Sequence, residues 1–385
     1  MAGLATIKEK LSAIDLKGLK DKAAFLFGPT EVVGVDLGSY AIKIVHLKKE
    51  GTAWKLKAWG YAPIEAKPEA SPDEKKQAVI NRLRALLIEK NVQVKHAATA
   101  VSGNAVIVRY VKFPKLTKDE LRATLATEAE PFIPFDINDV QLGFHILGDL
   151  VEDGQKKMET VLVAAKKDVV QARVEVLDAA GLKPTVIDVD SFALENVYEA
   201  AGGDEKAGST LYLNIGHTVT NLSILEAGVT RVVRDVFISG NTFTKAIMKA
   251  LQYDAAKAEE AKKANGLLID SEEKEKALAE GNRDALGVSQ AVSGVLKDLV
   301  GELHRSVDFY LSQGPERSIG RIVLSGGSAR MKNLSKALAA ELKVPVSVMN
   351  PLSFVPGLPE DLPPDMLPAL GVAVGLALRR NRDWA

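Results

Sequence analysis

Val33-Gly34-Val35-Asp36-Leu37-Gly38-Ser39 is the stretch on which the fold of this chain turns. It reads as a buried strand that ends in a glycine turn. Ile42-Lys43-Ile44-Val45-His46-Leu47 returns as a second strand. Gly51 then turns the chain into Trp54-Lys55-Leu56-Lys57-Ala58-Trp59, which alternates apolar and polar residues. The same meander recurs further on. Leu211-Tyr212-Leu213-Asn214-Ile215-Gly216-His217 lays onto Val33–Ser39, Thr220–Leu225 onto Ile42–Leu47, and Gly228 onto Gly51. Repetition of a whole meander argues for a duplicated domain. The competing reading is a chance likeness between two hairpins.

A third element favours duplication. Ile322-Val323-Leu324-Ser325-Gly326-Gly327-Ser328 is a buried strand running into a Gly-Gly turn, with a helix after it. A glycine pair lets the backbone approach a flat ligand because no Cβ stands in the way. Backbone N–H groups at a helix start can hold phosphate or ribose oxygens. Two glycine hairpins and this turn, in order and widely spaced, point to a cleft for a nucleotide.

The residues at these turns suit that ligand. Each hairpin turn offers N–H groups that can wrap phosphate oxygens. Gly38 and Gly216 permit positive φ, and Ser39 and Thr218 add hydroxyls. Asp36 sits at a strand end, where a carboxylate can hold Mg²⁺ through water, since Mg²⁺ keeps several waters and few protein ligands. Lys43 reads either as a point charge toward a phosphate or as an exposed strand lysine. Between the meanders, Asp188-Val189-Asp190-Ser191-Phe192-Ala193 is a strand entering a helix. Asp190 either orients an attacking water or caps that helix. Glu259 and Lys262 are three apart on a helix and share a face. They contact either ribose and adenine or only each other, as a solvated ion pair.

Composition narrows the class. Hydrophobic residues make up 46% and charged residues 26% of 385, as in soluble globular proteins of two or more domains. Lys plus Arg equals Asp plus Glu at 50 each, which removes any reason to expect nucleic acid as a partner. There is no cysteine, so disulfides and thiolate metal sites are excluded. Lys8, Glu9 and Lys10 interrupt what would be the apolar core of a secretory signal. No run approaches the roughly 20 apolar residues that span a bilayer. Within residues 1–30, Ile7, Leu11 and Ile14 recur at helical spacing among lysines, which fits either an amphipathic helix on a membrane or partner, or a mobile extension.

Between the meanders the pattern alternates. Ser71-Pro72-Asp73-Glu74 and Thr117-Lys118-Asp119-Glu120 are capping boxes that open helices to about Lys90 and Ala129. Ala97–Val101 and Ala105–Phe113 read as strands, and Val140–Leu147 with Glu159–Ala165 as a strand pair. Asp168 opens a helix that Gly181 closes. Asn241–Tyr310 is helical in pattern, and a buried helix follows Pro368. The fold class is α/β.

These motifs together resemble the superfamily of actin, the heat-shock chaperone ATPases and the sugar kinases. Val33–Ser39 resembles its phosphate-1 motif, Leu211–Asn221 phosphate-2, Val323–Ala329 the adenosine motif and Ala258–Lys262 the ribose/adenine helix. Asp188–Ala193 and Ala369–Ala377 resemble its two connecting helices. Within it, Gly34–Lys43 and Pro131-Phe132-Ile133-Pro134-Phe135 resemble the PilM family of type IV pilus assembly, which shares an inserted subdomain with the division protein FtsA. The resemblance implies a duplicated actin-like, ribonuclease H-like, two-lobed fold. Residues 31–90, 184–207 and 350–385 form lobe 1 after the extension at 1–30. Residues 91–183 are the inserted subdomain, 208–245 and 318–349 lobe 2, and 246–317 its helical subdomain. It also implies ATP or ADP with Mg²⁺, held by Gly38, Ser39, Lys43, Asn214, Gly216, His217, Thr218, Glu259, Lys262, Gly326, Gly327 and Ser328, with Asp36 and Asp190 as the catalytic pair. The implied role is a cytoplasmic adaptor, peripheral to the inner membrane through its partners. It binds the cytoplasmic N-terminal peptide of PilN and links the inner-membrane platform to the pilus motor ATPases.

One residue departs from that pattern. Phosphate-2 usually carries Asp, and here it is Asn214. The loss of a negative charge beside the metal weakens Mg²⁺ stabilisation, so slow or absent hydrolysis is expected. The peptide groove is expected where the inserted subdomain meets lobe 1, near Pro131–Phe135, unless that apolar stretch is an ordinary buried connection. Two other functions remain open: an FtsA-like filament protein, for which the C-terminus is short and polar, and a small-molecule kinase, for which no general base is evident.

Overall fold

The repeated meander folds twice in the same way. In the computed structural model, which describes residues 31–65, 70–203 and 208–379, each copy builds a five-stranded sheet. The first contains β1 (Val33–Leu37), β2 (Ala41–Glu50), β3 (Ala53–Pro63), β4 (His96–Val101) and β8 (Lys183–Val189), in the order β3-β2-β1-β4-β8. The second contains β9 (Ser209–Ile215), β10 (Thr220–Glu226), β11 (Val229–Val236), β12 (Ile319–Ser325) and β13 (Val346–Val348), in the order β11-β10-β9-β12-β13. In both, the first three strands pair antiparallel and the last two add parallel. Leu37 faces Ile42 as Ile215 faces Thr220. The register slips at His46/Leu47 in one sheet and at Ile224/Leu225 in the other, which are equivalent positions. A shared strand order with a shared bulge sets aside the chance-likeness reading.

A smaller sheet is inserted after β4. It consists of β5 (Val106–Pro114), β6 (Val140–Glu152) and β7 (Gln155–Lys166) in the order β5-β7-β6, covered by α2 (Lys118–Ala129). This range is narrower than the 91–183 expected. Strand β4 is buried along its length and pairs parallel with β1 and β8, so it belongs to the first large sheet. Helix α3 (Lys167–Ala179) also packs there, through Val176 and Leu177. Both capping boxes form as read, at Ser71 with Glu74 and at Thr117 with Glu120.

Helices cover both faces of the first sheet. Helix α1 (Pro72–Glu89) and α3 bury Ile80, Leu83 and Leu177 against Val33, Val35 and Ile44. Helices α4 (Asp190–Ala200) and α10 (Gly371–Ala377) bury Leu194, Val197 and Leu376 against Val45 and Ala100. They lie so close that a Cβ on Gly34 would overlap the Ala373 carbonyl and one on Gly375 the Ala193 carbonyl. The second sheet carries α5 (Gly240–Leu251), α6 (Ala255–Asn265), α7 (Ser271–Ala279), α8 (Arg283–Leu311) and α9 (Leu334–Leu342). Helix α8 presents Val288, Val292, Leu299, Leu303 and Tyr310 to that core, the spacing of one helix face. Among the described residues no helix is long and apolar enough to cross a membrane. The amphipathic stretch read in residues 1–30 lies outside the described residues, as does the chain after Arg379.

Candidate nucleotide cleft

The two sheets turn their glycine hairpins toward each other. The Gly38–Tyr40 turn follows β1, and the Gly216–Val219 turn follows β9. Their tips touch: Ser39 Oγ lies 2.9 Å from Thr218 Oγ1. Beside them the Tyr40 and His217 rings sit 5.3 Å apart, and Lys263 on α6 reaches the Tyr40 hydroxyl at 3.3 Å. Gly38 and Gly216 are not among the positive-φ glycines, which corrects the reason expected for them. They are needed for room. A Cβ on Gly38 would stand 2.9 Å from the Ala41 carbonyl, and one on Gly216 2.7 Å from the Val219 carbonyl. Burial, with the Lys262 charge, pulls the His217 imidazole below its usual pKa, so it is neutral near pH 7.

The polar floor of the cleft follows from strand register. Asp36 faces Lys43 across β1 and β2, and the pair closes at 3.0 Å. Each side chain is only 16% exposed, so Lys43 is not a solvent-facing strand lysine. The equivalent pair in the second sheet is Asn214 facing Asn221, with Asn214 Nδ2 donating to Asn221 Oδ1 at 2.8 Å. Asp190 is the first residue of α4. The cap position belongs to Val189, and the Asp190 carboxylate instead accepts from Ser102 Oγ at 2.7 Å. Burial and the nearby Asp36 charge push the Asp190 carboxyl up to about 6, against Ser102 and Arg173. The cleft floor thus holds two acids in different states, Asp36 paired with Lys43 and Asp190 buried against Ser102.

The third element closes the far side. Gly326 has φ +86°, and a Cβ there would stand 2.7 Å from Asn214 Oδ1. Gly327 and Ser328 begin the short turn Gly327–Arg330, and a Cβ on Gly240 at the start of α5 would meet Ser328 Oγ at 2.7 Å. Glu259 and Lys262 on α6 form a 2.6 Å pair with side chains 18% and 8% exposed, so the solvated reading is overturned. Lys262 Nζ also donates to the Gly240 carbonyl at 3.1 Å and to Thr244 Oγ1 at 2.9 Å. Burial lowers the Lys262 pKa, with Glu259 opposing the shift. Burial acts to raise Glu259, yet Lys262 and Thr244 outweigh it and hold the carboxyl below its usual value.

Every residue read as a site residue comes from one of the elements meeting here: the two turns, the β1–β2 and β9–β10 strands, the start of α4, α6 and the Gly326 turn. Sequence reasoning missed Ser102, Asn221 and Asp235. Asn221 had a signal, because it aligns with Lys43 in the repeat. Ser102 and Asp235 lie in no motif and are brought in by strand pairing alone.

Two sheets of one topology, closing glycine hairpins over a polar floor, define a protein of the actin-like class. The family model for type IV pilus assembly protein PilM matches residues 34–381, and the chain belongs to that family. A solved structure described as a PilM–PilN type IV pilus biogenesis complex is 30% identical, with 91% of this chain and 98% of that one covered at a TM-score of 0.75. The ethanolamine utilization protein EutJ of Carboxydothermus hydrogenoformans shares the fold at 16% identity and a TM-score of 0.51, covering 91% of this chain and 90% of its own.

Proposed function

We propose that this chain is a nucleotide-held adaptor of type IV pilus assembly. It binds ATP or ADP in the cleft, turns it over slowly or not at all, and captures the cytoplasmic N-terminal peptide of PilN. The observation that carries the slow turnover is the contrast of register-equivalent pairs. The first lobe has Asp36 with Lys43, a charged pair, and the second has Asn214 with Asn221, a neutral one. Ser39, Thr218 and Lys43 would hold phosphates, and Gly326, Gly327 and Ser328 the adenosine, with α6 behind them. Mg²⁺, which offsets phosphate charge when bound, suits this floor because Asp36 and Asp190 supply the hard carboxylate oxygens it prefers. Among the described residues no three or more His, Cys, Asp or Glu form a cage, so the ion would keep most of its waters.

The peptide site is read at the seam between the small sheet and the first lobe. A shallow open depression of about 450 Å³ is lined by Gln141 of β6 and by Lys167, Asp168, Val170 and Gln171 of α3. Strand β6 is one of the two edge strands of the small sheet, the one beside α3, and could accept an added strand. The expected Pro131–Phe135 stretch borders this seam only in part. Ile133 is buried, Phe132 is 40% exposed, and the Phe135 ring carries Lys166 Nζ at 4.9 Å. Through the peptide the protein would sit at the cytoplasmic face of the inner membrane and connect platform proteins to motor ATPases.

Two titrations test this reading. A fluorescent ATP analogue with Mg²⁺ should bind the purified chain, with turnover near background. Robust turnover that Asp36→Ala removes would overturn the slow-hydrolysis reading. A synthetic PilN N-terminal peptide should bind, and Gln171→Arg with Gln141→Pro should weaken it at least about tenfold. Unchanged peptide affinity in that variant removes the groove from the proposal.

A further inference from the structure

The acid missing from phosphate-2 stands two strands away. Asp235 on β11 lies directly opposite Asn221 in the β10–β11 register, and its Oδ1 accepts from Asn221 Nδ2 at 2.7 Å. A carboxylate can only accept, so it dictates how the neighbouring amides turn. Asn221 must give Asp235 its NH₂ and is left with Oδ1 facing Asn214. Asn214 must then offer its own NH₂, at 2.8 Å, which leaves Asn214 Oδ1 on the Gly326 side. The second oxygen of Asp235 accepts the Gly103 backbone N–H. Gly103 lies in the turn from β4 into the inserted sheet, next to Ser102, which holds Asp190.

We propose that Asp235 is a positioning residue of the cleft, supplying through Asn221 the acceptor that an acid at position 214 would supply directly. The proposal rests on the nucleotide reading above. The carboxylate polarises the two-amide chain, so Asn214 Oδ1 carries more negative charge than an isolated amide oxygen. The same chain explains why position 214 is Asn. A carboxylate there would face Asn221 Oδ1, and if Asn221 flipped to serve it, Asn221 would turn its oxygen on Asp235. Positions 214 and 235 are thus alternative seats for one acid. A purely structural role for Asp235, as a clasp between Gly103 and the second lobe, makes no such trade.

The trade is what the experiment reads. Asn214→Asp, Asp235→Asn and the double variant are titrated with a fluorescent ATP analogue and Mg²⁺, using the full chain. Each single change is expected to weaken binding about tenfold, and the double to recover to within about threefold of the parent. Losses that multiply in the double, or singles that bind like the parent, overturn the relay while leaving the nucleotide reading intact. If the parent chain binds no nucleotide, that reading falls, and the ligand-free protein decides the relay. With ¹⁵N-labelled asparagine and glycine, Asp235→Asn should shift the Asn214 and Asn221 side-chain NH₂ signals and speed exchange of the Gly103 amide. An unmoved Asn214 signal refutes the relay.

Discussion

Ser39 Oγ and Thr218 Oγ1 meet at 2.9 Å across 179 residues of sequence, tip to tip between the two glycine hairpins. An exposed hydroxyl pair contributes little free energy, so the contact marks how close the lobes stand and does not hold them there. A phosphate chain lying between the turns has to part these hydroxyls.

A reversible cross-link tests that necessity. The chain has no cysteine, so Ser39→Cys with Thr218→Cys introduces the only thiols. Under oxidation the two turns should lock and nucleotide binding should fall at least about tenfold, with recovery on reduction. Titration of the same preparation before and after dithiothreitol checks it. Equal binding in both states means that the ligand does not pass between these turns.

Two glycines in helices make opposite predictions. A Cβ on Gly375 would overlap the Ala193 carbonyl where α10 crosses α4, and the backbones must separate to admit it. Gly375→Ala should destabilise by about 3 kcal/mol. Gly294 lies within α8, is exposed, and has nothing within 4 Å of its added Cβ. Gly294→Ala should stabilise by about 1 kcal/mol through helix propensity. Urea unfolding of the two variants should move the midpoint in opposite directions, and a shared direction contradicts the packing described.

The repeat was legible because each meander strand is apolar enough to be seen alone, and because glycine marks its turns. What strand Ala97–Val101 pairs with was not legible. A run buried on both faces looks the same in an inserted sheet as in a central parallel strand, and only the β1–β4 register decides. For Gly38 the sequence showed a glycine but not its reason, which is the space taken by the Ala41 carbonyl. Asp235 sits among Arg231, Val232, Val233 and Arg234 and reads as one more charge on an edge strand. Its role appears only when pairing sets it opposite Asn221.

Lys262 binds three oxygens from within the second lobe, so it should matter to stability as well as to any ligand. Lys262→Met keeps the aliphatic stem but takes the donor from the Gly240 carbonyl and leaves Glu259 with only the more exposed Lys263, at 3.7 Å. The cost should be about 3 kcal/mol, since removing one member of a buried pair strands the other. Glu259→Gln still accepts from Lys262 and Thr244 and should cost about 1 kcal/mol. Chemical unfolding separates the two, and a milder effect for Lys262→Met than for Glu259→Gln would contradict the assignment.

Acid should loosen the clamp behind the Gly326 turn. Glu273 on α7 accepts from Lys332 Nζ at 3.1 Å and from Asn333 Nδ2 at 2.9 Å, fastening α7 to the start of α9. Lys332 and Asn333, with the Ile269 backbone N–H, hold its carboxyl down at about 2, against an ordinary 4.5. A depressed carboxyl stabilises the fold fully above its unfolded value. That contribution drains away as pH falls from about 4.5 through about 2. Glu273→Gln should therefore be less stable than the parent at neutral pH, and the gap should narrow across that window. Urea midpoints measured for both proteins along the same acid series check the sign. A gap that stays constant or widens on acidification would show that Glu273 does not act through its charge.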